Sequence, residues 1–173
     1  MSDNDTRFIQ GVPRLHLLVS TGCGLGFFPR CPATAAGFVA LLYWYGLYLV
    51  LPAEALLWVT AALIAVTAAV GVWTTNVMER YWGPDPRTVV IDEFVGTWIP
   101  LLACVADTAT ATAAYAFVGF ALFRVIDIFK PLGCRWIDRN VRGGFGAVLD
   151  DVLAGTYALL IVYVLRATID YCI

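Results

Sequence analysis

Apolar residues run through this chain in long blocks, not in the alternating pattern of strands or the single stripe of a water-soluble helix. Five blocks approach the roughly 20 residues that a helix needs to cross a bilayer core. They cover residues 33–51, 55–75, 89–105, 111–128 and 150–169. The first two are joined by the tight turn Pro52-Ala53-Glu54, and small residues are dense in the second and fourth, which favours close helix packing. Ahead of them, LHLLVSTGCGLGFF (residues 15–28) is apolar but broken by glycine. It predicts a re-entrant or interfacial element. The first 14 residues are polar and acidic and lack the basic start and apolar core of a secretory signal. The pattern therefore predicts an all-α integral membrane protein. Residues 1–14 would form a polar cytoplasmic tail. Residues 15–173 would form one membrane-embedded helical domain, a compact bundle of about five membrane helices.

Composition sharpens this picture. Of 173 residues, 61% are hydrophobic and only 14% charged, and the mean hydropathy is +0.79. Soluble domains carry about a quarter charged residues. A net charge of -2 offers no footprint for nucleic acid. The five cysteines are scattered without a CxxC pair and the chain has one histidine, so the spacing gives no support to a zinc site and the cysteines read as small packing residues.

Charge placement says more than its sum. Arg7, Arg14 and Arg30 precede the first block, Arg80 and Arg87 follow the second, and Lys130, Arg135, Arg139 and Arg142 follow the fourth. The turns near 52–54 and 106–110 have no basic residue. With five crossings all basic loops share one side, which the positive-inside rule makes the cytoplasm.

The acids fall on that same side. Asp92 and Glu93 open the third block, Asp127 closes the fourth, and Asp150 and Asp151 open the fifth. A central Asp in a membrane helix costs roughly 2.5–3.5 kcal/mol on insertion scales. A single acid at a helix N-terminus is explained by the helix dipole, worth about 0.3–1 kcal/mol. Adjacent acids repel each other, and Asp127 stands at the disfavoured end of its helix. Arg124, Asp127 and Lys130 share one face at i, i+3, i+6. Asp92 and Asp151 each have a glycine at i+4, Gly96 and Gly155, which lets another helix come close. Five carboxylates interleaved with cations read as a site for a divalent metal and an anion. Two glycine-rich loops, GCGLGFFPRCPAT (22–34) and RNVRGGFG (139–146), sit on the same side and suit backbone anion binding. Other phosphate chemistries miss. Cys23 and Arg30 are one residue too far apart for C-x₅-R, Asp3-Asn4-Asp5-Thr6 has no preceding strand, and no P-loop occurs. Metal-activated water is the nucleophile that remains for a hydrolase.

The stretches VVIDEFVGTW (89–98), FRVIDIFKP (123–131) and RNVRGGFGAVLDDVLAG (139–155), and more loosely 22–34, resemble the phosphatidylglycerophosphatase A family of bacterial membrane lipid phosphatases. The resemblance runs over about residues 15–165. It implies a Mg²⁺-dependent enzyme that removes the terminal phosphate of phosphatidylglycerophosphate, giving phosphatidylglycerol in phospholipid biosynthesis. It implies a bacterial inner-membrane location with the active site facing the cytoplasm. The matching positions are Asp92, Glu93, Asp127, Asp150 and Asp151 as catalytic and metal-binding acids. Arg124, Lys130, Arg139, Gly24, Thr34, Gly143 and Gly144 match as substrate-binding residues. The partners implied are phosphatidylglycerophosphate and membrane lipids, not nucleic acid, with a homo-oligomer left open. The chain departs from the family's P-G-T-x-G-S at Pro32-Ala33-Thr34-Ala35-Ala36-Gly37, and from K-P-x-P at Lys130-Pro131-Leu132-Gly133. If the replaced glycines need positive φ, alanine strains the loop. The competing readings are an inactive or substrate-shifted relative that binds another lipid phosphate, and a small cation transporter. The transporter would want mid-bilayer charges and a repeat, which the chain lacks.

Overall fold

The structure, a computed structural model, describes residues 11–131 and 133–172. The predicted tail therefore lies mostly outside the described residues. Every regular element among the described residues is helical: α1 Arg14–Ser20, a 3₁₀ turn Leu25–Phe27, α2 Pro32–Val50, α3 Ala53–Trp82, α4 Asp92–Leu101, α5 Ala109–Phe129, α6 Cys134–Asn140 and α7 Gly143–Cys172.

The boundaries follow from local chemistry. Pro32 starts α2 at a position where its missing N–H costs nothing. Pro52 precedes α3 and Gly83, at φ +82°, follows it. Thr108 caps α5 by accepting the Ala111 N–H at 3.1 Å. Lys130 ends α5 in the left-handed conformation, followed by Pro131. The stretch Pro32–Gly37 forms the first turns of α2, and none of its residues has positive φ. Ala33 and Ala36 thus sit in helix, where alanine is favoured, and the strain anticipated for this stretch does not arise. Gly37 has its own use: a Cβ there would lie 2.9 Å from the Thr97 hydroxyl and 3.0 Å from the Phe120 ring.

Four helices, α2, α3, α5 and most of α7, are long and apolar enough to cross a membrane. Their outward surfaces carry Trp58, Val66, Phe117, Tyr163 and Val164, all exposed. The expected third crossing is built differently. Only Asp92–Leu101 is helical, about 15 Å long, half a bilayer core. This short helix is the centre of the bundle. It packs against α2, α3, α5 and α7, and from Val95 to Leu101 every residue is buried. Trp98 donates from Nε1 to the Ala40 carbonyl at 3.0 Å, and Trp44 donates to the Thr60 hydroxyl at 2.9 Å.

Beyond α4 the chain continues without helix to Thr108. Non-helical backbone at membrane depth survives only where protein satisfies it. Here Thr112, fully buried, accepts the Ala106 N–H at 2.9 Å and donates to the Ala106 carbonyl. Arg166 donates to the Ala103 carbonyl at 2.8 Å. Cys104 packs inside as the sequence suggests, and all five cysteines are free thiols.

Residues 15–28, predicted as one glycine-broken element, divide into α1 and the 3₁₀ turn, both too short to cross. They brace the start of α4. The Val90 N–H donates to the Ser20 carbonyl at 2.8 Å, and a Cβ on Gly22 would lie 3.2 Å from the Phe94 ring.

Candidate active site

The acids meet because three helices cross on glycine. A Cβ on Gly155 of α7 would come within 2.7 Å of the Gly96 carbonyl of α4, and one on Gly96 would lie 2.2 Å from the Phe123 ring of α5. One turn from these contacts stand Asp151 and Asp92, as the i, i+4 spacing predicts. Glycine here sets how far apart the carboxylates are.

Asp92 and Glu93 open α4. Asp92 Oδ1 accepts the Glu93 N–H at 3.1 Å, so one of the adjacent acids serves the free donors of the helix start. The other faces inward. Glu93 is ion-paired with Arg124 of α5, which also pairs with Asp127 at 3.1 Å. All three side chains are at most 15% exposed. One carboxylate oxygen from each of Glu93, Asp127 and Asp151 lies within 4.8 Å of the other two.

Asp151 is the telling member. It is 6% exposed, and among the described residues it has no hydrogen-bond or ion-pair partner. A carboxylate held out of water without a direct partner is expensive. Glu93 and Asp127 share one guanidinium, so three acids meet one cation. Three oxygen donors from three helices, one of them unpaired, suit a hard divalent cation such as Mg²⁺, which takes carboxylate oxygens. The donor set has neither thiol nor imidazole.

Beside this triad lies a second charge cluster. Lys130, projected from the left-handed end of α5, pairs with buried Asp150 of α7 and, at 2.6 Å, with Asp138 of α6. Burial alone would lower the Lys130 ammonium. The Asp138 and Asp150 carboxylates more than offset it and hold the group above the ordinary lysine range, so it stays charged.

The structure thus gathers all five expected acids with Arg124 and Lys130 at one end of the bundle. It puts Glu93, Asp127 and Asp151 around Arg124 and Asp150 on Lys130, and leaves Asp92 at the start of α4, bonded to the Glu93 N–H. Asp138 and Asn76 were not anticipated. Asp138 is an exposed acid flanked by basic residues, and sequence alone gives no reason to pair it with Lys130. Asn76 is one of the few polar residues in the body of α3, a visible signal. It accepts the Gly144 N–H at 2.8 Å. Gly144 packs against the Val72 carbonyl, and Gly143 has φ +77°. Gly24, at φ +99°, donates its N–H to Thr21 at 3.1 Å. The backbone donors of Gly24 and Gly144 are therefore already used within the protein. Thr34 is exposed in the first turn of α2, and Arg139 is exposed in the last turn of α6 with no ion-pair partner among the described residues.

Comparison with known proteins agrees with this constellation. The sequence model of the family described as Phosphatidylglycerophosphatase A matches residues 18–166. A Bacteroides thetaiotaomicron protein named "Putative phosphatidylinositol-3-phosphatase" is 48% identical, covering 88% of this chain and 94% of that protein. Phosphatidylglycerophosphatase A of Escherichia coli K12 is 36% identical over 86% of this chain and 81% of its own length. The Haemophilus influenzae protein of the same name is 30% identical over 95% and 96%. No solved structure is significantly similar. With its acid-bearing segments all inside the matched region, the chain belongs to the phosphatidylglycerophosphatase A family and is a phosphoric monoester hydrolase.

Proposed function

We propose that this protein hydrolyses the terminal phosphomonoester of phosphatidylglycerophosphate, giving phosphatidylglycerol, at the cytoplasmic face of a bacterial inner membrane. Residues 15–173 act as one membrane-embedded catalytic domain. The observation that carries the proposal is the convergence of Glu93, Asp127 and Asp151 beside Arg124. Mg²⁺ held by these three carboxylates would acidify a bound water and screen the phosphate. The chain's own residues supply the rest. Asp92, with one oxygen committed to the Glu93 N–H, keeps its other oxygen to take a proton from the attacking water. Arg124, whose Nε bonds to nothing among the described residues, offers donors to the phosphoryl oxygens. Lys130 exchanges exposed Asp138 for phosphate and remains anchored by Asp150. Arg139, on the exposed turn of α6, assists in drawing in the dianionic headgroup.

The 48% identical relative supports a second reading, in which the phosphate removed is that of phosphatidylinositol-3-phosphate. One experiment separates them. Detergent-purified protein is given each lipid with Mg²⁺ and then with EDTA, and released phosphate is measured. Release from phosphatidylglycerophosphate that EDTA abolishes supports the first reading. Faster release from the inositol lipid moves the assignment to the second. No release from either by folded protein in Mg²⁺ overturns both.

A further inference from the structure

The end of the bundle opposite the acids carries a groove of about 580 Å³ between α7 and the irregular stretch after α4, walled mainly by Leu102, Leu159, Leu160, Tyr163 and Ala167. Arg166 lies in the same wall and also lines an adjoining hollow of about 190 Å³ against Trp44 and Leu57. Along α7, Arg166 is about 22 Å from Asp151, so this groove is separate from the acidic centre. Its charge is out of place. The other basic residues of the described chain belong to the opposite end of the bundle, in α5, in α1 and α6, in the last turn of α3 or in the loops beside them.

A guanidinium has five N–H donors and does not lose its proton. Arg166 uses one nitrogen, Nη1, on the Ala103 carbonyl at 2.8 Å. Its Cζ stands 5.6 Å from the centre of the Tyr115 ring. Its Nε is buried and bonds to nothing among the described residues. No described carboxylate comes within ion-pair distance. A lysine or arginine near a helix end normally extends its charge toward water, whereas this one turns inward to the groove. A cation with no carboxylate partner among the described residues, set at membrane depth, calls for an anion, and the surrounding walls are apolar. The ligand that brings both an anion and an apolar tail is a phospholipid, and the volume has room for a single acyl chain.

We propose that the Arg166 groove binds one anionic phospholipid from the leaflet opposite the acidic centre. Its phosphate meets the free N–H groups of Arg166, and an acyl chain lies along Leu159, Leu160 and Tyr163. The site is independent of the hydrolytic reaction and ties the irregular end of α4 to the surrounding bilayer.

Native mass spectrometry tests it. Protein in neutral detergent is mixed with equal amounts of phosphatidylserine and phosphatidylcholine, and retained lipid is counted for the full chain, Arg166→Gln and Ala167→Trp. The tryptophan fills the groove and leaves the guanidinium in place. The expected result is one phosphatidylserine more on the full chain than on either variant, a preference over phosphatidylcholine of roughly tenfold, and unchanged phosphate release in both variants. Equal phosphatidylserine on all three proteins would overturn the proposal. So would retention of phosphatidylcholine as firm as that of phosphatidylserine, or loss in one folded variant with full retention in the other. Should Arg166→Gln not fold, Ala167→Trp decides alone.

Discussion

Among single residues, the acids separate into those that hold something and those that are held. Glu93, Asp127 and Asp151 present three oxygens to one point, with a single guanidinium among them. Glu93→Gln, Asp127→Asn and Asp151→Asn should each lower phosphate release by at least about 100-fold. A metal titration gives an independent check. Mg²⁺ should raise the melting temperature of the wild type and fail to do so for Asp151→Asn, because binding to the folded state stabilises it. Arg124→Ala belongs to a different class. It leaves Glu93 buried without its cation and should destabilise by about 3–5 kcal/mol, read as a loss of melting temperature. Asp138 has half-exposed surroundings, so Asp138→Asn should change stability by less than about 1 kcal/mol. It should lower KM for the lipid phosphate, since Lys130 no longer divides its charge between two carboxylates. The acids themselves were legible in the sequence, as charge in apolar blocks is conspicuous. Their division was not. Which acid meets Arg124 and which meets Lys130 depends on how α4, α5 and α7 are rotated, and apolar blocks without an amphipathic stripe do not record rotation.

Glycines and helix ends govern the next scale. The four long helices could be read directly, because length and hydropathy decide them. The shortness of α4 could not, since residues 102–105 are as apolar as the helix before them, and the backbone leaves the helix only because Thr112 and Arg166 supply its missing hydrogen bonds. The crossing of α4 and α7 has no slack. Gly155→Ala would press a methyl group toward the Gly96 carbonyl, and should cost about 1–3 kcal/mol as overpacking. It should also lower kcat by moving Asp151 away from Glu93. A kcat equal to wild type would show that this contact does not set the carboxylate spacing. Ala33→Gly points the other way from the family comparison. Restoring the family's glycine at a helical position should cost up to about 1 kcal/mol, with no gain in activity.

Across the whole molecule, the proposed orientation puts the charged end and the Arg166 end in different compartments, and the free cysteines can test it. Cys23 and Cys31 are exposed at the end that carries the acids, and Cys172 is exposed at the close of α7. In intact bacteria stripped of their outer membrane, an impermeant maleimide should label Cys172 alone. Cys23 and Cys31 should react only after lysis. The reverse pattern would put the active site on the outer face.

The buried half-helix at the centre also constrains how the protein comes into being. Helices α2 and α3 can enter the bilayer as they emerge, each on its own apolar length. Helix α4 has two acids at its entrance and covers half the depth, so it has no stable place in lipid until α5 and α7 surround it. The clustered carboxylates therefore assemble only once α7 has been made and closes over Gly96. A nascent chain stalled before α7 would carry no Asp151 and no working hydrolase, and the membrane receiving it would be spared an unfinished enzyme.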